Sequence, residues 1–194
     1  VVGGKHFGEA NGAALELAER EGLAYFHPYE DPAVMAGQGT LALEILDDCP
    51  AIDTLLIAIG GGGLISGMAS AAKALKPSIR IVGVEPVGAA TVHDSLAAGH
   101  VVTLPGIATK VLTLAAQRTG QRNFDIARET VEQVVLITDQ DMMDAARALW
   151  LDLGIAADLS GAASMAALMS GKYRPRPGER VCVLVCGAGP DGVQ

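Results

Sequence analysis

The stretch TLLIAIGGGGLISGMASAAKALK, from Thr54 to Lys76, holds three pieces in order: an apolar run, four glycines and an amphipathic segment. Thr54 to Ile59 reads as a parallel strand covered on both faces, which needs no alternation with polar residues. In Leu64 to Lys76, the residues Leu64, Ile65, Met68, Ala69, Ala72 and Leu75 fall on one helical face, while Lys73 and Lys76 suit the negative C-terminal end. Between strand and helix, Gly60, Gly61, Gly62 and Gly63 carry no Cβ atoms. The backbone there can turn tightly and point several N–H groups into one concavity. The positive N-terminal end of the helix adds to that field, so the bend suits a phosphate. A merely flexible turn would carry the entropic cost of four glycines with nothing gained.

Two familiar phosphate motifs are excluded. No Gly-Lys-Ser/Thr follows, as a Walker loop requires. The dinucleotide fingerprint fails at its third position, which is Ile65, and at the acidic residue after the next strand, since Glu85 precedes Pro86.

Outward from this centre, strand-like and helical stretches alternate. Phe7 to Arg20 is helical, with Gly22 as its stop, and Leu23 to Phe26 is a short buried strand. Asp31 caps a helix that Pro32 opens and that runs to about Asp47. Ile79 to Val84 is a strand, Gly88 to Ala98 helical, and Val101 to Gly120 irregular or partly helical. Val134 to Ile137 is a strand, Asp139 caps a helix through Leu151, Gly161 to Met169 is helical, and Val181 to Val185 is the last strand. Alternating β and α with two-face-buried strands gives an α/β fold: an open, mostly parallel sheet with helices on both faces.

Composition narrows the function classes. Half of the 194 residues are apolar and 19% are charged, which excludes a disordered chain. The net charge of −8 leaves no basic stripe for nucleic acid, and no apolar run approaches a bilayer span. The odd count of three cysteines argues against a disulfide scaffold and for a reducing, cytoplasmic setting. Cys182 and Cys186 stand too far apart along an extended strand to share a metal or a disulfide. His6, His27, His93 and His100 show no ligand spacing and read as surface or turn residues, so no metal site is expected. The chain opens on Val1-Val2-Gly3-Gly4 without an initiator Met and stops soon after a core strand, which gives the expectation of a piece from a longer protein.

Five segments in order, GQGTLALEI (Gly37 to Ile45), AIGGGGLISG (Ala58 to Gly67), KPSIRIVGVEP (Lys76 to Pro86), DLSGAASMAAL (Asp158 to Leu168) and VCVLVCGAG (Val181 to Gly189), resemble the serine/threonine dehydratases. Those are pyridoxal 5'-phosphate (PLP) enzymes of the tryptophan-synthase β-like fold, or fold type II. The resemblance implies a threonine ammonia-lyase-like activity that deaminates L-threonine, L-serine or a related hydroxyamino acid by β-elimination. It implies that Gly60, Gly61, Gly62, Gly63 and Leu64 hold the PLP phosphate through backbone N–H groups, and that Cys186 meets the pyridine nitrogen as a neutral thiol. Asp158 stands where the family has a Glu near the ring, with helix cap as the competing reading.

The resemblance also marks departures. The family's Schiff-base lysine lies in a Ser-x-Lys motif that this chain lacks; Lys5, in GGKHFG, is no match, so no catalytic residue is assigned. The expected organisation is a large PLP-binding domain over 1–194, with 1–50 contributing partly to a smaller lobe and the N-terminal portion of the enzyme absent. The chain alone would then be inactive, and an inactive or PLP-binding subunit, a racemase and a β-replacement enzyme stay open as alternatives. The family's Ile-Ala-Asp-Gly segment appears as Ile107-Ala108-Thr109-Lys110, so Lys110 is expected to crowd or re-charge the site. A cation site of some relatives falls on Glu85, Ala89 and Thr91 without its acidic third ligand, leaving Glu85 a structural or solvated residue. That the chain stops soon after its last strand gives the expectation of no regulatory domain, as in the short biodegradative type, and the resemblance implies a homodimer.

Overall fold

A computed structural model describes Gly3 and residues 7–193. The readings made for Val1, Val2, Lys5 and His6 lie outside the described residues.

Four parallel strands form one sheet: β1 (Thr54–Ala58), β2 (Arg80–Pro86), β3 (Gln133–Ile137) and β4 (Val181–Val183), in the order β3-β2-β1-β4. Leu55 lies opposite Ile81 and Cys182, and Leu56 opposite Val82 and Val183. Every residue of β1 is buried, as its unbroken apolar run implied. The two-residue period of the strand sends its side chains into two separate cores. Leu56, Ala58, Val82 and Val84 pack with α6 (Asp139–Leu153) and α7 (Ala163–Met169). Leu55, Ile57, Ile59 and Ile81 pack with α2 (Pro32–Asp48), α3 (Gly63–Leu75) and residues of α4 (Thr91–Ala98) and α5 (Gln121–Thr130). Helices therefore cover both faces of an open parallel sheet.

Local chemistry sets the helix starts. The Asp31 carboxylate accepts from the amides of Ala33 and Val34, and Pro32 occupies the first turn of α2. Helix α6 starts one residue earlier than the sequence suggested. Thr138, not Asp139, is its cap, and Thr138 and Asp141 close a reciprocal capping box. Residues 88–98 split into a 3₁₀ turn at Val87–Ala89 and α4.

One predicted element fails, and one helix was not predicted. Leu23 to Phe26 is no strand; no neighbouring strand offers it a ladder, and Leu23 and Phe26 are exposed. It follows α1 (Phe7–Glu21), which buries no residue. Helix α5 was hidden in sequence because its cap, Gly120, has no side chain and its buried face mixes Asn123 with Phe124 and Ala127.

From β1 the chain crosses through α3 to β2 and on to β3, then returns through α6 and α7 to place β4 on the other side of β1. The strand order thus reverses between β1 and β4. Crevices at such reversals, outside the carboxyl ends of strands, are where open α/β sheets take ligands.

Candidate functional site

The four glycines leave the carboxyl end of β1, and Cys186 follows β4, so the two flank the reversal. Both line one cavity of about 290 Å³, whose walls also include Leu64, Tyr29, Thr113, Leu114 and Ser160. Each glycine is hemmed in differently. A Cβ on Gly60 would meet the Thr113 carbonyl at 2.8 Å, one on Gly61 the Tyr29 ring at 2.3 Å, and one on Gly63 the Tyr29 Cα at 2.7 Å. Gly62 has φ +99°, which L side chains rarely adopt. The bend is a tightly packed cradle, not a loose turn.

Helix α3 begins inside this bend. Its first backbone bond back to the loop runs from the Ser66 amide to the Gly62 carbonyl at 3.0 Å. The amides of Gly63, Leu64 and Ile65 come before it and are the orphan donors of a first helical turn. Orphan N–H groups at the positive end of a helix, in a cavity walled by glycine, form a donor set that fits a phosphate ester.

Side chains hold the cradle from behind. Thr119 donates to the Gly61 carbonyl at 2.9 Å, and Asn123 Nδ2 donates to the same oxygen at 3.0 Å and to the Tyr29 carbonyl at 2.8 Å. The Thr91 hydroxyl lies 3.4 Å from the Gly60 carbonyl, with its proton given to Glu85. His27 shapes the segment that carries Tyr29: its Nδ1 accepts from the amides of Tyr29 and Glu30, and its ring meets that of Tyr29 edge-on at 4.4 Å. Burial, with Glu30 adding to it, pushes the Tyr29 phenol up to about 12, so it stays neutral.

Cys186 keeps solvent access through the cavity mouth. The atoms crowded around it are nevertheless the first cause of a raised thiol pKa, and the Asp158 carboxylate adds to the effect. It is therefore a neutral thiol at neutral pH. Asp158 stands one layer back from the cavity. Its Oδ1 accepts from the Ser160 hydroxyl at 2.8 Å and the Gly161 amide at 2.5 Å, and a Cβ on Gly187 would strike that same oxygen. It props the turn that presents Ser160 and packs against the Gly187 turn after Cys186.

Lys110 is exposed and is not among the residues that wall the cavity. Its amide donates to Asp139 Oδ2 at 2.7 Å and the neighbouring Thr109 hydroxyl to Asp139 Oδ1 at 2.6 Å, so the wall beyond it comes from Thr113 and Leu114 instead. Glu85 is structural rather than solvated. It is fully buried, and its carboxylate accepts from the Thr91 hydroxyl and the amides of Val92 and His93 in the first turn of α4. Burial raises it to about 7 against those three hydrogen bonds. Among the described residues, no group of three or more His, Cys, Asp or Glu side chains could hold a metal ion, and no helix is long and apolar enough to cross a membrane.

Tyr29, Thr113, Ser160, Thr119 and Asn123 were absent from the sequence-derived site. Ser160 lies inside the quoted DLSGAASMAAL segment but was not singled out there; the others are common polar residues in stretches without a motif, brought to the glycines only by the fold.

Residues 1–187 match the family described as pyridoxal-phosphate dependent enzyme. The chain is 39% identical over 184 residues to an L-threonine ammonia-lyase of Geobacter sulfurreducens, covering 95% of this chain and 46% of that protein. It is 38% identical over 169 residues to a serine racemase of Arabidopsis thaliana, covering 87% and 51%. Among solved structures, maize serine racemase superposes with a TM-score of 0.88 at 36% identity, over 92% of this chain and 56% of that one. The processed form of threonine deaminase isoform 2 from Solanum lycopersicum superposes at 0.87 with 34% identity, over 97% and 52%. The chain spans about half the length of the relatives it matches.

Proposed function

This chain belongs to the pyridoxal-phosphate dependent enzymes, and we propose that it serves an ammonia-lyase that deaminates L-threonine or L-serine to a 2-oxo acid by β-elimination. The observation that carries the reading is the shared cavity of the Gly60–Gly63 bend and Cys186 at the strand reversal. When bound, PLP supplies the electron sink that weakens the bonds at the amino acid Cα.

The residues of this chain bind and orient. Amides from Gly60 to Leu64 take the phosphate, where the end of α3 favours negative charge. Cys186 is assigned to the ring nitrogen. A neutral thiol is a weak donor and does not hold an added proton there as a carboxylate would, which suits loss of a β-hydroxyl over chemistry that needs a more electron-poor ring. Asp158 supports that wall through Ser160 and the Gly187 turn. Among the described residues no lysine lines the cavity, so proton transfer at Cα is not assigned to them.

Equilibrium dialysis of the chain against PLP, pyridoxal and inorganic phosphate tests the cradle. PLP should be retained and displaced by phosphate, with pyridoxal held far less; equal retention of PLP and pyridoxal, or of neither, overturns it. Release of a 2-oxo acid from L-threonine or L-serine by a PLP-loaded protein that carries this chain together with a Schiff-base lysine supports the lyase. Formation of the D-amino acid by that protein places it with the racemases among its relatives, and PLP binding there without turnover reduces it to a PLP-binding subunit.

A further inference from the structure

The geometry points to Thr119 and Asn123 as positioning residues that clamp the Gly61 carbonyl so that the Gly62 N–H faces the phosphate cradle. The inference deepens the functional reading above and rests on it.

The argument begins with the peptide bond. Among the described residues no peptide is cis, so the Gly61 C=O and the Gly62 N–H point in opposite directions. Fixing one fixes the other. The Gly61 oxygen is held by two donors at once, the Thr119 hydroxyl and Asn123 Nδ2, at 2.9 and 3.0 Å. Both residues are buried, and neither lines the cavity, whereas Gly61 and Gly62 do. The carbonyl is therefore pulled to the back of the loop, and the Gly62 N–H is turned toward the front. Left unclamped, a glycine–glycine peptide flips readily and would present an acceptor oxygen to an anion.

Asn123 carries a second clue. Its Nδ2 bridges two carbonyls, Gly61 and Tyr29, and so ties two cavity walls together; two carbonyl partners also settle which end of the amide is nitrogen. Its Oδ1 is buried and has no partner among the described residues. An orphaned buried oxygen is a cost that an apolar side chain of similar size would avoid. What asparagine supplies and leucine lacks is the pair of N–H donors. A side chain retained at that cost for stability alone makes little sense; one that aims a backbone amide does. Gly62 fits the same account, since a Cβ there would press on Thr119 Oγ1 at 3.0 Å and Asn123 Cβ at 3.2 Å.

The test compares wild type with Asn123→Leu and Thr119→Val, using equilibrium dialysis for PLP and pyridoxal and ³¹P NMR titration for inorganic phosphate. Each variant should weaken PLP and phosphate about tenfold while leaving the affinity for pyridoxal unchanged, since one charge-assisted donor is lost. Thr119→Ser keeps the hydroxyl and should bind as wild type. Melting of the ligand-free proteins is the control: Asn123→Leu removes the orphaned oxygen but also strips the Tyr29 carbonyl of this donor, so its affinities are read well below its own melting transition. If that variant does not fold, Thr119→Val, which swaps one hydroxyl for a methyl, carries the test. Wild-type affinity for PLP in the folded variants, or an equal loss of pyridoxal, overturns the clamp alone. A wild-type chain that binds neither PLP nor phosphate overturns the cradle and the clamp with it.

Discussion

At the amino ends of the four strands, Glu179 collects hydrogen bonds from Thr54, Tyr173, the Arg176 amide and Arg80, while Arg80 reaches across to Glu132 at 2.7 and 2.9 Å. Thr54 starts β1, Arg80 starts β2, Glu132 precedes β3 and Glu179 stands just ahead of β4, so one network pins the whole sheet. At the carboxyl ends of β1 and β4, glycines replace side chains, and the first-turn amides of α3 are left without a helical partner. One edge uses charged side chains to close on itself, the other uses bare backbone to stay open to a ligand. Stability and binding are thus laid at opposite ends of the same strands and can be broken separately.

The largest effect should come from the closed edge. Glu179 has a side chain only 4% exposed, and its removal strands the Tyr173 and Thr54 hydroxyls and one face of Arg80. Glu179→Ala should cost about 3 kcal/mol, measured by urea unfolding, with PLP affinity of the folded protein unchanged. A loss of affinity equal to the loss of stability would show that the two edges are not separable. The same residue sets an acid limb. Burial alone would raise the Glu179 carboxyl, but the hydrogen bonds from Thr54, Tyr173 and Arg176 and the Arg80 charge overcome it and hold it at about 2, against 4.5 ordinarily. A depressed carboxyl contributes its full stability above the unfolded value and loses it as pH falls from about 4.5 through about 2. Melting temperatures of Glu179→Gln should fall less steeply over that window than those of wild type. Some slope will persist, because Glu132, Asp53 and Asp141 are depressed too.

The open edge answers to a smaller change. An alanine Cβ at Gly61 would lie 2.3 Å from the Tyr29 ring, which must move, and that ring is a cavity wall. Gly61→Ala should weaken PLP by about tenfold in dialysis and lower stability by about 2 kcal/mol, since the obstacle is the base of an aromatic ring rather than the free end of a flexible side chain. Retained PLP affinity would mean that Tyr29 is no part of the site.

Much of this contrast was legible in the chain itself, unevenly. The covered strand Thr54–Ala58 and the cradle after it stand out because an unbroken apolar run and four consecutive glycines each have few physical explanations. The clamp was not visible, because Asn123 lies 62 residues from Gly61 and 94 from Tyr29, and nothing local distinguishes it from a surface asparagine. Leu23 to Phe26 misled for the converse reason: four apolar residues look like a strand whether or not a neighbour exists to pair with them. At Thr138 the spacing to Asp141 held the capping box in plain view, and the adjacent Asp139 obscured it. Patterns within one element survive reading from sequence; partnerships across elements do not.

The smallest expected effect bears on the boundary of the open edge. By resemblance, Lys110 should intrude where relatives have glycine. Here the Asp139 carboxylate draws in the Lys110 amide and the Thr109 hydroxyl, and the Ala108 amide donates to the Gly88 carbonyl at 2.9 Å. The segment is tied at Asp139 and at Gly88, the cavity wall comes from Thr113 and Leu114, and the lysine side chain is left in solvent. Lys110→Gly should therefore change stability by no more than about 0.5 kcal/mol and leave PLP affinity as it was. A shift in PLP affinity beyond threefold would bring the ammonium group into the cavity and move the edge of the site one turn of chain closer to β3.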